Sequence, residues 1–253
     1  MKMASRSHRS NQAEKSPWLA VNLSAVLPGV GQMYDGAIAR GIILLLAHVA
    51  LIWFIFWSIF DARGNTARGL LLLLPFLALY LFNLWDSHHA ARRVSSLASV
   101  SPLRFETNDP WYPVLLSHVL PGLGQLYLQR ALIGGILLLL GVGTAYMANF
   151  YPTLLPVSPL IWAGACGLAY WAAPARRRQW GMLAALLVAI VVMHFLVASI
   201  PVIVRQVVAQ TIIPSESMLP TLEVRDRLFV RLWDDYQPQT GDVVVFYAPP
   251  DAR

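Results

Sequence analysis

Cysteine, lysine and acidic residues are all scarce in this chain. Its one cysteine, Cys166, lies inside an apolar run, so a disulfide framework is excluded and no redox compartment can be inferred. Charged residues make up 13% and hydrophobic residues 57% of the sequence, which excludes an ordinary soluble domain. The only lysines are Lys2 and Lys15, and no histidine follows His194. The composition predicts a membrane protein. Its carboxy-terminal part contains neither lysine nor histidine.

Long apolar runs fill most of the first two hundred residues. A helix needs roughly 20 apolar residues to cross a bilayer, and several stretches approach that length. They cover residues 41–60, 69–85, 132–150, 160–173 and 180–203. The fourth stretch is short unless it begins near Leu154. The sequence therefore predicts about five crossings, with the lipid bilayer as a partner.

The basic residues indicate how the crossings are oriented, because Lys and Arg are retained on the cytoplasmic side of a membrane. They cluster before the first crossing, between the second and third, and before the last. The members are Lys2, Arg6, Arg9, Lys15, Arg40, Arg92, Arg93, Arg104, Arg130, Arg176, Arg177 and Arg178. Five crossings with these loops inside place everything after Ile203 on the outer face. Topology thus explains the net charge of +6, and nucleic acid is not expected as a partner.

The amino terminus permits a second interpretation. Basic residues precede the apolar patch 18–30, as they do in a cleavable signal sequence. However, Asn22 and Pro28 interrupt the patch, and no small-x-small cleavage pattern follows it cleanly. We therefore expect this patch to belong to the membrane region.

A repeated motif organises the membrane region. The segment LSAVLPGVGQMY at 23–34 recurs as LSHVLPGLGQLY at 116–127, and each copy is followed by a glycine and an aliphatic run. Each copy predicts a unit of about two crossings, at about 17–85 and 110–173. A final crossing helix at 180–203 completes a membrane region of residues 1–203. Residues 204–253 form a separate part.

The proline and glycines of the motif break a helix and free backbone groups that lipid cannot satisfy. One interpretation is a re-entrant or interfacial hairpin packed against protein. The other is a polar site lined by Gln32, Tyr34, Gln125 and Tyr127, because interrupted helices at matching places in two repeats mark binding sites in transporters. The residues that both copies share include no acidic or basic side chain, which favours the hairpin.

Histidines within the apolar runs raise the question of a metal or proton site. His48 and His194 have no acidic residue nearby in sequence, so we expect neutral imidazoles bonded to a helix backbone or a neighbour. His88 and His89 are adjacent and point to different faces of a helix, which argues against a metal site. No metal and no cofactor is predicted.

After Ile203 the apolar runs become short and rich in β-branched residues. Residues 207–213, 227–232 and 242–247 predict strands separated by turns that contain proline and glycine. The predicted fold is a multi-pass α-helical membrane region followed by the start of a small β-rich extracytoplasmic domain.

Three segments of this last part occur in the order typical of one enzyme family. They are SESMLPTL at 215–222, VRDRLFV at 224–230 and GDVVVF at 241–246. In these segments the chain resembles type I signal peptidases, the bacterial leader peptidases that use a Ser–Lys dyad. The resemblance covers about the last fifth of the chain. Arg225 stands where the family usually has glycine.

The resemblance implies a role for individual residues. Ser217 would be the nucleophile, and the hydroxyl of Ser215 with the N–H of Ser217 would hold the oxyanion. Met218 and Pro220 would contribute to the substrate-binding loop, with Met218 packed beside the lysine. Signal peptides of exported preproteins would be the substrates, bound as extended strands. The expected location is the bacterial plasma membrane.

The family's lysine lies on a strand that follows the GDVVVF segment, and these 253 residues do not contain it. A serine hydroxyl attacks an amide only when a base takes its proton, so we expect the base beyond residue 253 and no activity in the chain as given. Truncation is favoured over a true loss of catalysis. The alternative function is an inactive membrane protein whose repeated helical unit does the work and whose outer segment only binds extended peptides. A polar surface turn is the simplest structural explanation of 215–222 alone.

Overall fold

A computed structural model describes residues 15–60, 65–98, 109–174, 179–213, 215–232 and 237–245. The basic residues Lys2, Arg6, Arg9, Arg104, Arg176, Arg177 and Arg178 lie outside this part. The helices are α1 (Pro17–Val26), α2 (Val30–Tyr34), α3 (Ile38–Phe60), α4 (Thr66–Leu71), α5 (Leu73–Ala98), α6 (Trp111–Val119), α7 (Leu123–Tyr127), α8 (Ala131–Met147), α9 (Val157–Ala172) and α10 (Trp180–Val207). The strands are β1 (Val208–Ile212) and β2 (Arg227–Arg231). The chain divides into two compact units, Met1–Phe195 and Leu196–Arg253.

Within the described residues, four helical stretches are long and apolar enough to cross a membrane. They are Ile38–Ile59, Ala67–Arg93, Pro152–Ala172 and Trp180–Val207. The start of the fourth predicted crossing before Leu160 is confirmed, because that stretch begins at Pro152. The predicted fold class, a multi-pass helical region with a small sheet after it, is also confirmed.

The predicted crossing 132–150 is shorter in the structure. Helix α8 has 17 residues and ends at Met147, where Ala148 donates its N–H to the Thr144 carbonyl. At 1.5 Å per residue it measures about 25 Å, slightly less than the roughly 30 Å of a hydrocarbon core. The number of crossings therefore stays a prediction.

Both copies of the repeated motif adopt the same local fold. In each, a helix stops at the Pro-Gly pair, a five-residue helix follows, and then a long apolar helix begins. Gly29 and Gly122 have φ of 90° and 98°, in the left-handed region that favours glycine. A Cβ atom at Gly29 would come within 2.1 Å of the Gly41 carbonyl oxygen. At Gly122 the corresponding distance, to Gly134, is 2.2 Å.

The core of the first compact unit joins both repeat units, 17–85 and 110–173, to α10. Trp111 and Tyr170 lie at its centre, with ring centroids 4.7 Å apart. The other buried members are Leu19, Val26, Val114, Cys166, Leu183, Leu186 and Ile190. Ser16 also donates a hydrogen bond to Asp109 at 2.5 Å, which ties the segment before α1 to the segment before α6.

The second unit contains an antiparallel pair of strands. Val208 pairs with Arg231 and Ile212 with Arg227, which confirms the first two predicted strands. The prediction of a strand at 242–247 is wrong for its described residues, 242–245, because no neighbouring strand in the described part pairs with them. Residues 239–242 form a turn instead, in which the Gln239 N–H donates to the Asp242 carboxylate at 2.8 Å. Phe246 and Tyr247 lie outside the described residues.

Candidate active-site loop

The predicted nucleophile lies in a loop at the end of the β1–β2 hairpin. Backbone hydrogen bonds close the base of this loop: Ile213 donates to the Asp226 carbonyl at 3.0 Å, and Arg225 donates to the Ile213 carbonyl at 2.9 Å. The Asp226 carboxylate also accepts the N–H of Glu223 at 2.9 Å. The loop 215–224 is therefore held at both ends by a paired backbone.

A short 3₁₀ turn positions Ser217 within the loop. Ser215 is extended, with φ −142° and ψ 165°, and the turn Glu216–Met218 follows it. Leu219 closes the turn with a 3.1 Å hydrogen bond to the Glu216 carbonyl. Ser217 is the second residue of the turn, and N–H groups at the start of a helical turn have no internal partner. The helical turn itself therefore provides no acceptor for the Ser217 N–H.

The structure brings the two predicted catalytic serines together. The hydroxyl oxygens of Ser215 and Ser217 lie 3.0 Å apart, and both side chains are exposed. Either hydroxyl can be the donor in this pair. A serine hydroxyl does not remove a proton from another serine at neutral pH, so the contact positions the groups without activating the nucleophile.

Met218 and Pro220, the predicted substrate-binding residues, are both exposed in the same loop. Two backbone N–H groups, of Thr221 and Leu222, donate to the Met218 carbonyl at 2.9 and 3.0 Å. These bonds fix the backbone at Met218 and leave its side chain free to pack against another group. The roles of Ser215, Ser217, Met218 and Pro220 stay predictions.

The loop holds carboxylates but no nitrogen base. Neither lysine nor histidine occurs after His194, so the unit Leu196–Arg253 contains none. Glu216 and Glu223 are exposed in the loop. The described residues also contain no group of three side chains suited to bind a metal ion. The loop therefore presents hydroxyl and carboxylate groups, with no amine or imidazole in its own unit.

Arg225 has a φ of 77°, in the left-handed region that side chains with a Cβ atom usually avoid. This is the position at which the resembling family has glycine. The backbone conformation that glycine would favour is thus present, with arginine in it. The sequence signal for this feature was an arginine at a position where the family usually has glycine.

The glutamines of the repeated motif are buried tethers. Gln32 donates its side-chain amide to the Asn83 carbonyl at 3.0 Å, and Gln125 donates to the Ala165 carbonyl at 2.8 Å. Both are almost fully buried. Each therefore fastens the turn to a long helix of its own copy, which supports the hairpin interpretation over a polar site. Tyr127 is 52% exposed and meets the Tyr112 ring edge-on, with ring centroids 5.0 Å apart.

Sequence reasoning missed the partners of these tethers. Ser24 and Ser117 accept the N–H of Gly31 and of Gly124 at 3.0 and 3.1 Å, which satisfies a backbone group freed by the turn. Both serines occupy the same place in the two copies, and that repetition was the available signal. Asn83, a polar residue inside an apolar helix, was another.

The expected bond of His48 and His194 to the helix backbone is confirmed. The Nδ1 atom of His48 lies 2.7 Å from the Leu44 carbonyl, and that of His194 lies 3.0 Å from the Ile190 carbonyl. Each imidazole thus bonds to the preceding turn of its own helix.

One match from the comparison with known proteins covers the carboxy-terminal part of the chain. Residues 179–253 match the family model described as signal peptidase, peptidase S26. The chain is also 51% identical over 51 residues to an uncharacterized protein of Methanocaldococcus jannaschii, an alignment that covers 20% of this chain and 50% of that protein. The chain thus spans about half the length of the curated relative it matches. No solved structure matches the chain.

The matched segment begins just before α10 and includes both strands and the serine loop. It supports the signal peptidase family, and hence a serine peptidase, for this part of the chain. Together with the four apolar helices it supports association with a membrane.

Proposed function

We propose that this chain is a membrane-bound serine endopeptidase of the signal peptidase I type, which removes signal peptides from exported proteins. The observation that carries the proposal is the 3.0 Å contact between the hydroxyls of Ser215 and Ser217 in a loop closed by the hairpin. The loop lies inside the segment that matches the family model.

In the proposed reaction, the Ser217 oxygen bonds to the scissile carbonyl carbon and its proton passes to a base. The peptide C–N bond then breaks, and the base gives the proton to the leaving amine. The Ser217 N–H and the Ser215 hydroxyl stabilise the oxyanion, and water hydrolyses the acyl-enzyme. The resemblance assigns the base to a lysine on a strand that follows the GDVVVF segment.

The substrate class follows from the loop's surroundings within its own unit. Strand β1 begins at Val208, directly after the last residue of the apolar helix α10. The serine loop is thus tethered by a short strand to a membrane-crossing segment. A peptide that is itself anchored in the membrane, such as a signal peptide, fits this position. We place the loop on the extracytoplasmic side, where such peptides emerge.

A second function rests on a different observation. The buried tethers at Gln32 and Gln125 give the helical region defined tertiary contacts of its own, apart from the serine loop. In this alternative the chain is catalytically inactive, the helical unit is the functional part, and the outer segment only binds extended peptides.

Cleavage of a preprotein by membranes distinguishes the two functions. Membranes that contain the complete reading frame are compared with membranes that contain residues 1–253 alone. The peptidase proposal predicts cleavage by the first and none by the second, because a serine without its base loses several orders of magnitude in rate. A reading frame that stops at Arg253, or a complete protein that inserts and does not cleave, would favour the inactive alternative.

A further inference from the structure

The carboxyl group of Asp35 is buried in the helical region and makes no hydrogen bond within the described residues. Asp35 follows α2, and its N–H donates to the Gly31 carbonyl at 3.1 Å. The equivalent residue of the second motif copy is Leu128, whose N–H donates to the Gly124 carbonyl at the same distance. Since leucine makes the same turn, the turn does not require a carboxyl group.

The surroundings of Asp35 disfavour a charge. The residue is 8% exposed, and neither carboxyl oxygen has a hydrogen-bond partner in the described part of the chain. A buried carboxylate without partners is costly, so such a group retains a proton to higher pH than usual. Asp35 also precedes the apolar span Ile38–Ile59, so it lies outside the membrane-crossing stretches.

Two charged groups act on Asp35, one of each sign. Lys15, just before α1, donates its ammonium group to the Tyr34 carbonyl at 2.7 Å. Asp86, on α5, accepts a hydrogen bond from Arg40 of α3 at 3.1 Å. The titratable and charged groups around this end of α2 are Lys15, Tyr34, Arg40 and Asp86, with Asp109 acting on Tyr34.

These surroundings set the protonation of Asp35. Burial raises its pKa to about 7, Lys15 opposes that shift, and the negative charge of Asp86 adds to it. The group therefore changes charge near neutrality.

We propose that Asp35 is a proton-binding site of the helical region, and that its charge state controls the contact between Lys15 and the end of α2. With the proton bound, the ammonium group of Lys15 stays on the Tyr34 carbonyl. With the proton released, the carboxylate competes for the same ammonium group. The proposal is independent of the peptidase function, since it concerns the first unit alone.

Infrared spectroscopy of the full chain in lipid tests the proposal directly. Between about pH 5 and about pH 9, either side of neutrality, the C=O band of a protonated carboxyl should disappear with a midpoint near 7. Asp35→Asn and Asp35→Leu should both remove this change, and leucine is the residue of the second copy. As a control, Asp86→Asn should keep the change and move its midpoint to lower pH. A wild-type chain without such a titration would overturn the proposal, whether or not the variants insert.

Thermal denaturation gives the second readout. The folded state binds this proton more tightly than the unfolded state, so stability should fall as pH rises from about 4 to about 7 and then level. Asp35→Leu should abolish that fall and denature at a higher temperature than the wild type at about pH 8. Replacing sodium chloride with choline chloride at fixed pH should change nothing. A sodium-dependent midpoint that Asp35→Leu removes would overturn proton binding in favour of a metal-cation site.

Discussion

Arg225 combines a positive φ with a β-carbon, next to the base of the serine loop. A left-handed conformation costs a residue other than glycine about 1 to 2 kcal/mol, and the paired backbone at Ile213 holds Arg225 in it. The backbone at Arg225 is therefore slightly strained, and this residue is not adjacent in sequence to Ser215 or Ser217. A substitution at Arg225 can release this strain.

We expect Arg225→Gly to stabilise the hairpin by roughly 0.5 to 1 kcal/mol, because the released strain exceeds the extra entropy that glycine gives the unfolded chain. Hydrogen exchange at the Ile213 and Arg225 amides measures the effect as slower exchange. Arg225→Ala is the matched control, since it removes the guanidinium and keeps the Cβ atom. Equal protection in the alanine variant would show that charge, and not φ, was responsible.

At the scale of elements, the Pro-Gly turn depends on a close backbone approach. The Cβ atom of an alanine at Gly29 would collide with the Gly41 carbonyl, and φ of 90° adds strain. We predict that Gly29→Ala lowers the thermal midpoint in detergent markedly, equivalent to about 2 kcal/mol or more. Gly122→Ala should do the same in the second copy.

Gly143 supplies the control for this prediction. It lies within α8, and a Cβ atom there would meet nothing within 4 Å. Gly143→Ala should therefore leave the midpoint unchanged or raise it, because alanine is the better helix former. A Gly29→Ala protein as stable as Gly143→Ala would contradict the close approach described for the turn.

Local pattern predicted some elements and not others. Strands β1 and β2 follow from β-branched runs bounded by turns, whereas the run at 242–245 has the same composition and no strand to pair with. Helix α5 continues to Ala98, beyond the apolar stretch that ends at Trp85. Hydropathy predicted the apolar stretch and could not predict where the helix ends. Strand pairing and helix length both depend on neighbours that hydropathy does not show.

The contacts of the candidate site and of the repeated motif were also predictable only in part. The motif at 215–222 predicted two serines that act together, and the structure places their hydroxyls in contact. The tethers from Gln32 and Gln125 were not predictable as such, because their acceptors are backbone carbonyls far away in sequence. Every residue has a main-chain carbonyl that can accept a hydrogen bond, so the residue type of the acceptor does not indicate the tether.

At the scale of the whole molecule, the alternation of basic loops predicts that the serine loop faces outward. In a Cys166→Ala background, a cysteine at Thr240 should react with a membrane-impermeant thiol reagent from outside. A cysteine at Arg130 should react only after the membrane is opened, since it belongs to an inside loop. Both positions are exposed in the structure. The reverse pattern would remove Ser217 from the side on which signal peptides emerge.

Ser217 is the proposed nucleophile of a signal peptidase reaction. The most direct test of this proposal is preprotein cleavage by the complete reading frame in membranes, with Ser217→Ala compared against Ser215→Ala. Ser217→Ala should abolish cleavage and leave insertion intact, because it deletes the attacking oxygen at an exposed site. Ser215→Ala should slow cleavage by roughly 10- to 1000-fold, as for the loss of one oxyanion donor. A Ser217→Ala protein that still cleaves at the normal position would contradict the account.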